Sequence, residues 1–274
     1  MAGGTVEVSG SVTIDHSAEL ASLYDVARRA KDNGNVDIAS DHYNKILALD
    51  PRSWEANFYA VYYNAMKCKL EEIPDAAYDM IRCFKSVLDL VKESATDTTT
   101  QHNIVEAITN KVIDLASKFK NNSKSYYFKN YTKQNEQGKT EFSKSVATDM
   151  AKNLTFSAKM QYELGDQIAK MFDNEEFKDV IVKAWEYGVL LTADDTVGDI
   201  YFNANGDIKG PQKNIADSYI SKIEELSPET EIEDKPSGPG GDYAMIAICI
   251  IVMIIFVVLL QQCPELADAV GYKK

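Results

Sequence analysis

The stretch that decides the fold is residues 17–59, SAELASLYDVARRAKDNGNVDIASDHYNKILALDPRSWEANFY. Two runs of apolar residues at three- and four-residue spacing lie on either side of Gly34-Asn35, a pair that interrupts helices. The runs consist of Leu20, Leu23, Ala27 and Ala30, and of Val36, Ala39, Tyr43 and Ile46. Ser17 is a candidate N-cap for the first run, and Asp50-Pro51 ends the second. The stretch therefore predicts two antiparallel helices and the start of a third.

The same helical periodicity continues through most of the chain. It recurs over residues 77–91, 104–119, 142–162, 177–191 and 215–226, the last opened by Pro211 in its first turn. Two short segments follow a different pattern, with alternating apolar residues around Ser9-Gly10 and a turn signal at Asn205-Gly206. We therefore expect a mainly α protein with β-hairpins near residues 1–16 and 199–209.

Residues Leu20 to Ser53 have the length and several key positions of a tetratricopeptide repeat (TPR). The matching positions are Leu23, Val26, Gly34, Ala39, Tyr43 and Pro51. The stretch as a whole resembles bacterial membrane-anchored TPR-type proteins. Some of these carry an N-terminal zinc ribbon, but no cysteine precedes Cys68 here. The resemblance implies a TPR-like array of helical hairpins.

In that family the first helix of each pair lines a concave, partner-binding face. The positions implied by the resemblance are Tyr24, Arg28, Lys31, Phe58 and Tyr62. Cations beside aromatic rings could hold a protein or peptide partner through an acidic or C-terminal carboxylate group. The positions differ from the family's carboxylate clamp. The alternative is that they only pack against neighbouring helices.

A membrane anchor is predicted near the C-terminal end. Residues Tyr243–Leu260 are 18 consecutive uncharged, mostly large apolar side chains, and 20 helical residues span roughly 30 Å of bilayer. The alternative is a buried core helix of a soluble protein. The start of the chain has neither a basic nor an apolar signal region, which favours a single-pass, tail-anchored membrane protein whose N-terminal domain is cytoplasmic.

Composition and motifs exclude several function classes. The net charge of −13 argues against nucleic acid as the leading partner. No HExxH, P-loop, GxSxG or GxGxxG motif occurs, and the three histidines lie far apart. The four cysteines form no CxxC pair, and Cys68 and Cys83 are predicted as small apolar residues. We expect no enzyme activity, cofactor or metal site.

One segment runs against the acidic balance. Residues 118–144 hold seven lysines interleaved with aromatic residues, a composition that can bind anionic lipid or single-stranded nucleic acid. The favoured interpretation is a solvated loop between helices whose aromatic side chains pack on the core. Attraction to the acidic parts of the same chain is an intermediate possibility.

These observations predict a membrane-tethered protein–protein interaction scaffold. The expected organisation, in chain order, is a β-hairpin segment at 1–16, TPR-like repeats at 17–93, a helical region at 94–226, an acidic Pro/Gly linker at 227–242, a transmembrane helix at 243–262 and a short tail at 263–274. The alternative functions are a structural, self-assembling homo-oligomer in the membrane, or binding of anionic lipid or nucleic acid through residues 118–144.

Overall fold

A computed structural model describes residues 16–130, 132–134, 140–142, 144–192, 209–230 and 232. Within these residues the protein is mainly α, as the hydrophobic periodicity predicts. The helices are α1 (Ser17–Asp32), α2 (Val36–Leu49), α3 (Trp54–Lys67), α4 (Ile73–Ser94), α5 (Thr98–Asn130), α6 (Lys144–Met171), α7 (Lys178–Thr192) and α8 (Lys209–Leu226). Two three-residue strands, β1 (Thr132–Gln134) and β2 (Thr140–Phe142), pair antiparallel between α5 and α6.

The turn between α1 and α2 is made by the pair that the sequence marks as a helix break. Gly34 adopts a φ of 68°, which a residue without a Cβ reaches at little cost. The side chain of Asn35 then accepts a hydrogen bond from the backbone N–H of Ile38 and caps α2. Ser17 is the first residue of α1 and not its N-cap, a position that His16 occupies without a capping hydrogen bond from its side chain to the helix backbone.

The next helix pair begins with a serine cap. Ser53 Oγ accepts a hydrogen bond from the backbone N–H of Ala56, at 3.1 Å, and so starts α3. A short 3₁₀ turn at Leu70–Glu72 leads into α4, which has Pro74 in its first turn. Helices α1 to α4 pack neighbour against neighbour, α1 on α2, α2 on α3 and α3 on α4.

Helix α5 is longer than the periodicity predicts. The segment expected to be a loop from residue 118 onward is helical as far as Asn130, so that prediction is wrong for residues 118–130. The reason is visible in the spacing, because Phe119, Ser123 and Tyr127 are four residues apart and all three are buried. A helix is the conformation that turns these three side chains to one side.

Helices α6 and α7 cross with little space between them. A Cβ added at Gly165 of α6 would lie 2.5 Å from the Trp185 ring, and one at Gly188 of α7 would lie 2.5 Å from the Tyr162 ring. The two glycines therefore let each aromatic ring lie directly on the opposing helix. Helix α6 also packs against α4 and α5, which places it between the first four helices and the last two.

The chain divides into two compact units, Met1–Glu231 and Ile232–Lys274. The first unit contains every helix and strand named above. It also contains the turn at residues 227–230, where Glu229 forms an ion pair of 2.8 Å with Lys178 of α7. The hairpins predicted near residues 1–16 and 199–209 lie almost wholly outside the described residues. So do the predicted transmembrane helix at 243–262 and the tail at 263–274.

Candidate functional site

The five residues predicted to bind a partner differ in their accessibility. Arg28 is exposed, Tyr24 and Lys31 are half-buried, and Phe58 and Tyr62 are buried, with exposed fractions of 0% and 4%. Helix α3 packs against α2, α4 and α5, so little of its circumference is left for solvent. Phe58 and Tyr62 are therefore core residues in this structure, and only the three α1 side chains reach the surface.

Arg28 is bonded to a carboxylate from the next helix pair. Its Nη2 and Nε lie 2.6 and 3.1 Å from Glu55 Oε2 and Oε1, and Tyr43 Oη donates to Glu55 Oε1 at 2.7 Å. The side chain of Glu55 is only 9% exposed. Burial alone raises the pKa of Glu55, but hydrogen bonds from Arg28 and Tyr43 outweigh it, so the net pKa lies below the usual value. The carboxylate is therefore charged at neutral pH.

The other two α1 residues also reach across to α3. Tyr24 Oη donates to Ser53 Oγ at 2.5 Å, and the Lys31 ammonium lies 4.9 Å from the centre of the Tyr59 ring. Tyr24, Arg28 and Lys31 thus join one helix pair to the next. A ligand carboxylate at Arg28 would compete with Glu55, whose charge is already in place.

The structure also has a recessed site that sequence reasoning missed. An open cleft of about 560 Å³ lies between α3 and α4. Small side chains line it on both helices, among them Val61, Ala65 and Ala76. Its polar residues are Asn64, Glu72, Asp75, Asp79 and Arg82. Asp79 is paired with Arg82, and Glu72 accepts a hydrogen bond from the backbone N–H of Lys69. The cleft therefore combines an apolar interior with an acidic rim.

Two thiols, Cys68 and Cys83, line the same cleft and are not joined in a disulfide. Burial is the main cause that raises the pKa of Cys68 to about 11 and that of Cys83 to about 12. Both thiols are protonated at neutral pH and are weak nucleophiles. Across the part of the chain that the structure describes, no group of three or more His, Cys, Asp and Glu side chains is arranged to hold a metal ion. Both thiols thus line the cleft in their neutral form.

A smaller cleft of about 300 Å³ adjoins the first and shares Ala65 and Cys68 with it. It lies where α3 ends against α5, with Phe119 and Ile73 on its apolar side and Lys118 and Tyr126 on its polar side. Lys118 Nζ donates to the backbone carbonyl of Met66 at 2.6 Å, one of the carbonyls that the end of α3 leaves without a helical partner.

A third cluster of polar side chains lies between α6, α7 and α8. The carboxylate of Asp166 accepts from Trp185 Nε1 at 3.1 Å, from Tyr219 Oη at 2.7 Å and from Lys222 Nζ at 3.0 Å. The Tyr219 ring stacks on Tyr162 with centroids 3.8 Å apart. One donor comes from α7 and two come from α8, so the Asp166 carboxylate joins three helices and this cluster has a structural role.

Sequence signals for these sites were partial. The buried carboxylate of Glu55 has no signal in the sequence, because the side chains that surround it come from residues 12 and 27 positions away. The cleft between α3 and α4 has a weak signal in the sequence. Ala65, Ala76 and Cys68 are small side chains at positions where larger apolar residues would fill the contact of α3 with α4.

No protein-family model, curated protein or solved structure matches this chain significantly. The helices within the described ranges include none that has both the length and the apolar composition needed to cross a bilayer.

Proposed function

We propose that this protein is an interaction scaffold tethered to a membrane by residues 243–262. In this proposal α1 to α4 form a TPR-like array and the domain that carries them is cytoplasmic. The array recruits a protein partner and catalyses no reaction. The support for the tether is the run of 18 uncharged, mostly apolar residues at Tyr243–Leu260.

The packing of α1 to α4 supports the TPR-like interpretation. Each helix contacts the next, and the small residues Ala27 and Ala39 are fully buried at the α1–α2 contact, where the repeat pattern has small side chains. Such arrays bind extended or helical peptides along the surfaces that their helices present.

The cleft between α3 and α4 is the observation that carries the binding role. It offers apolar surface from Val61, Ala65 and Ala76 below a rim that holds three carboxylates and one guanidinium. That combination fits a peptide segment with an apolar side chain for the interior and a lysine or arginine for the rim. The face formed by Tyr24, Arg28 and Lys31 remains a second predicted contact, with its side chains already bonded to α3.

Charge reversal at the rim tests this role. Asp75 and Asp37 are both exposed acids in the first turn of a helix, α4 and α2 respectively, so their replacement by lysine costs a similar helix-dipole interaction of about 0.3–1 kcal/mol. Only Asp75 lines the cleft. We expect Asp75→Lys to lower the recovery of partners cross-linked in intact membranes, and Asp37→Lys to leave it unchanged.

A photo-crosslinking residue at Asn64 locates the contact directly, since Asn64 is exposed and lines the cleft. Cross-links to a second polypeptide from position 64, and none from position 37, support the proposal. If Asp75→Lys recovers the same partners in the same yield as the unaltered protein, the cleft is not the binding site.

A further inference from the structure

The distal half of α5 is a basic surface on an acidic protein. Residues 115–135 contain five lysines and no acidic residue, in a chain whose net charge is −13. Four of these lysines lie on the last turns of α5, namely Lys118, whose ammonium is bonded to the Met66 carbonyl, and Lys120, Lys124 and Lys129. Because a helix rises 1.5 Å per residue, their Cα atoms fall within a length of roughly 17 Å. This segment is therefore locally basic, although the chain as a whole is acidic.

Large aromatic side chains are exposed at the same place. Phe128 is 64% exposed, the highest value for a large hydrophobic side chain among the described residues, and Tyr126 is 45% exposed. Tyr127 between them is buried and holds the end of α5 against the core. Phe128 follows Lys124 by four residues, so the two project from one side of the helix. The helix end thus presents the Phe128 ring beside Lys124, whereas Tyr126, two residues before Phe128, projects from a different side of the helix.

We propose that this end of α5 docks on an anionic phospholipid surface. Lysine ammonium groups meet lipid phosphates and carboxylates, and Phe128 enters the interfacial layer, where aromatic side chains are favoured. The membrane as occupant rests on the proposed function, because the apolar run at Tyr243–Leu260 keeps a bilayer beside the domain. Tethering raises the effective concentration of that bilayer, so a weak contact suffices.

Two features favour lipid over nucleic acid. Binding of single strands uses several aromatic rings as stacking platforms along a basic groove, whereas only two exposed rings lie beside the lysines in the described part of this surface. The exposed rings also lie in the last turns of α5, a position from which a ring can enter an interface without unfolding the domain.

The experiment uses the full chain with Phe128→Trp, reconstituted in vesicles that contain brominated phosphatidylcholine, with or without phosphatidylserine. Bromine quenches tryptophan at short range, and the unaltered protein gives the background from Trp54 and Trp185. We expect the added tryptophan to be quenched more strongly when phosphatidylserine is present. Each lysine near an anionic surface contributes about five-fold to binding, so raised salt should reduce the added quenching.

The paired charge variants make the result specific. Lys124→Glu with Lys129→Glu should abolish the phosphatidylserine-dependent quenching, while Lys45→Glu with Lys152→Glu should preserve it. The two pairs change the net charge equally, and Lys45 and Lys152 are exposed on α2 and α6. Quenching that is equal with and without phosphatidylserine, or equal loss in both variant pairs, overturns the proposal. If added single-stranded RNA removes the phosphatidylserine-dependent quenching of the added tryptophan, the ligand is nucleic acid and the proposal is overturned.

Failure of the proposed function gives a different pattern. A protein without a tether does not float with vesicles of phosphatidylcholine alone, whichever variant is used. Partner binding is tested separately by the recovery of partners with Asp75→Lys, a variant that leaves the α5 lysines and Phe128 unchanged. Docking of α5 is therefore decided by the phosphatidylserine-dependent quenching, measured on protein that floats with the vesicles.

Discussion

The buried carboxylate of Glu55 depends on two neighbouring side chains. Its carboxylate is buried between α1, α2 and α3, and it is compensated by one guanidinium and one hydroxyl, from Arg28 and Tyr43. Arg28 is 55% exposed and can turn to water, whereas Glu55 cannot. The two partners are therefore not equivalent, because removing the arginine leaves a buried charge and removing the charge leaves a solvated arginine.

This asymmetry predicts the cost of two substitutions. Arg28→Ala should lower the free energy of unfolding by about 1–3 kcal/mol, because the desolvated carboxylate of Glu55 loses its main compensation. Glu55→Gln should cost less, about 0.5–1.5 kcal/mol, since glutamine can still accept from Tyr43. Urea unfolding followed by circular dichroism measures both. Arg29→Ala is the control, because Arg29 forms only an exposed pair with Asp25, and it should stay within about 0.5 kcal/mol.

The pH dependence of the same variants follows from the lowered pKa of Glu55. A carboxylate with a lowered native pKa stabilises the fold fully above its unfolded pKa of about 4.3, and this stabilisation is lost as the pH falls through the native value. The unaltered protein should therefore lose more stability than Glu55→Gln on acidification below about pH 4.3. Parallel losses in the two proteins would show that Glu55 is not coupled to Arg28 as the geometry implies.

At the scale of single residues, the sequence placed side chains on helices but not their partners. Arg28 and Phe58 lie on the helices where periodicity puts them. The prediction that Phe58 is accessible assumed that one side of α3 faces a groove. In the structure α3 also packs on α5, whose contact with α3 no local pattern reveals. The exposure of a helical residue depends on helices distant in sequence, and these are the contacts that periodicity does not encode.

Individual helices were easier to predict than their ends. Apolar spacing identified α1, α2 and α4 because each has a buried face, and Gly34-Asn35 and Asp50-Pro51 marked the ends of α1 and α2. Helix α5 was predicted too short since its last turns bury Ser123 and Tyr127, residues that do not register as an apolar face. Lysine-rich composition suggested a loop, and the buried side of the helix outweighed it.

One carboxylate contributes to the attachment of helix α8 and offers a direct test of it. Asp166 accepts hydrogen bonds from two α8 side chains, Tyr219 and Lys222. Asp166→Ala should leave those donors without their acceptor and should speed amide hydrogen exchange in α8 by local opening. Helices α1 to α4 should exchange as before. Hydrogen-exchange mass spectrometry reports both regions in one measurement.

The control for that substitution lies on α8 itself. Asp217 is exposed, and Asp217→Ala removes the same carboxylate charge without touching the Asp166 cluster. Exchange in α8 should then match the unaltered protein. If Asp166→Ala and Asp217→Ala have equal effects, the attachment of α8 comes from apolar contacts such as those of Ala216 and Ile223, and not from the carboxylate.

At the scale of the whole molecule, α6 connects the two halves of the helical unit. It packs against α4 and α5, which precede it in the chain, and against α7, which follows it. Its Asp166 and Gly165 both contact Trp185 of α7. Each of the eight described helices contributes buried side chains, from Ala27 in α1 to Ile223 in α8.

This unit boundary leads to a prediction about the C-terminal segment. A chain that ends after Glu231 keeps every described helix and the ion pair of Lys178 with Glu229, and it lacks the apolar run at Tyr243–Leu260. It should be a soluble, helical and monodisperse protein, because the buried core is closed by side chains that precede the cut. Circular dichroism, with light scattering after size exclusion, measures helicity and mass. A monomer mass assigns any self-association to the segment removed, whereas a defined dimer would favour the self-assembling alternative for the helical unit. Aggregation with loss of helicity would mean that the apolar run belongs to the core, which would remove the basis for a membrane tether.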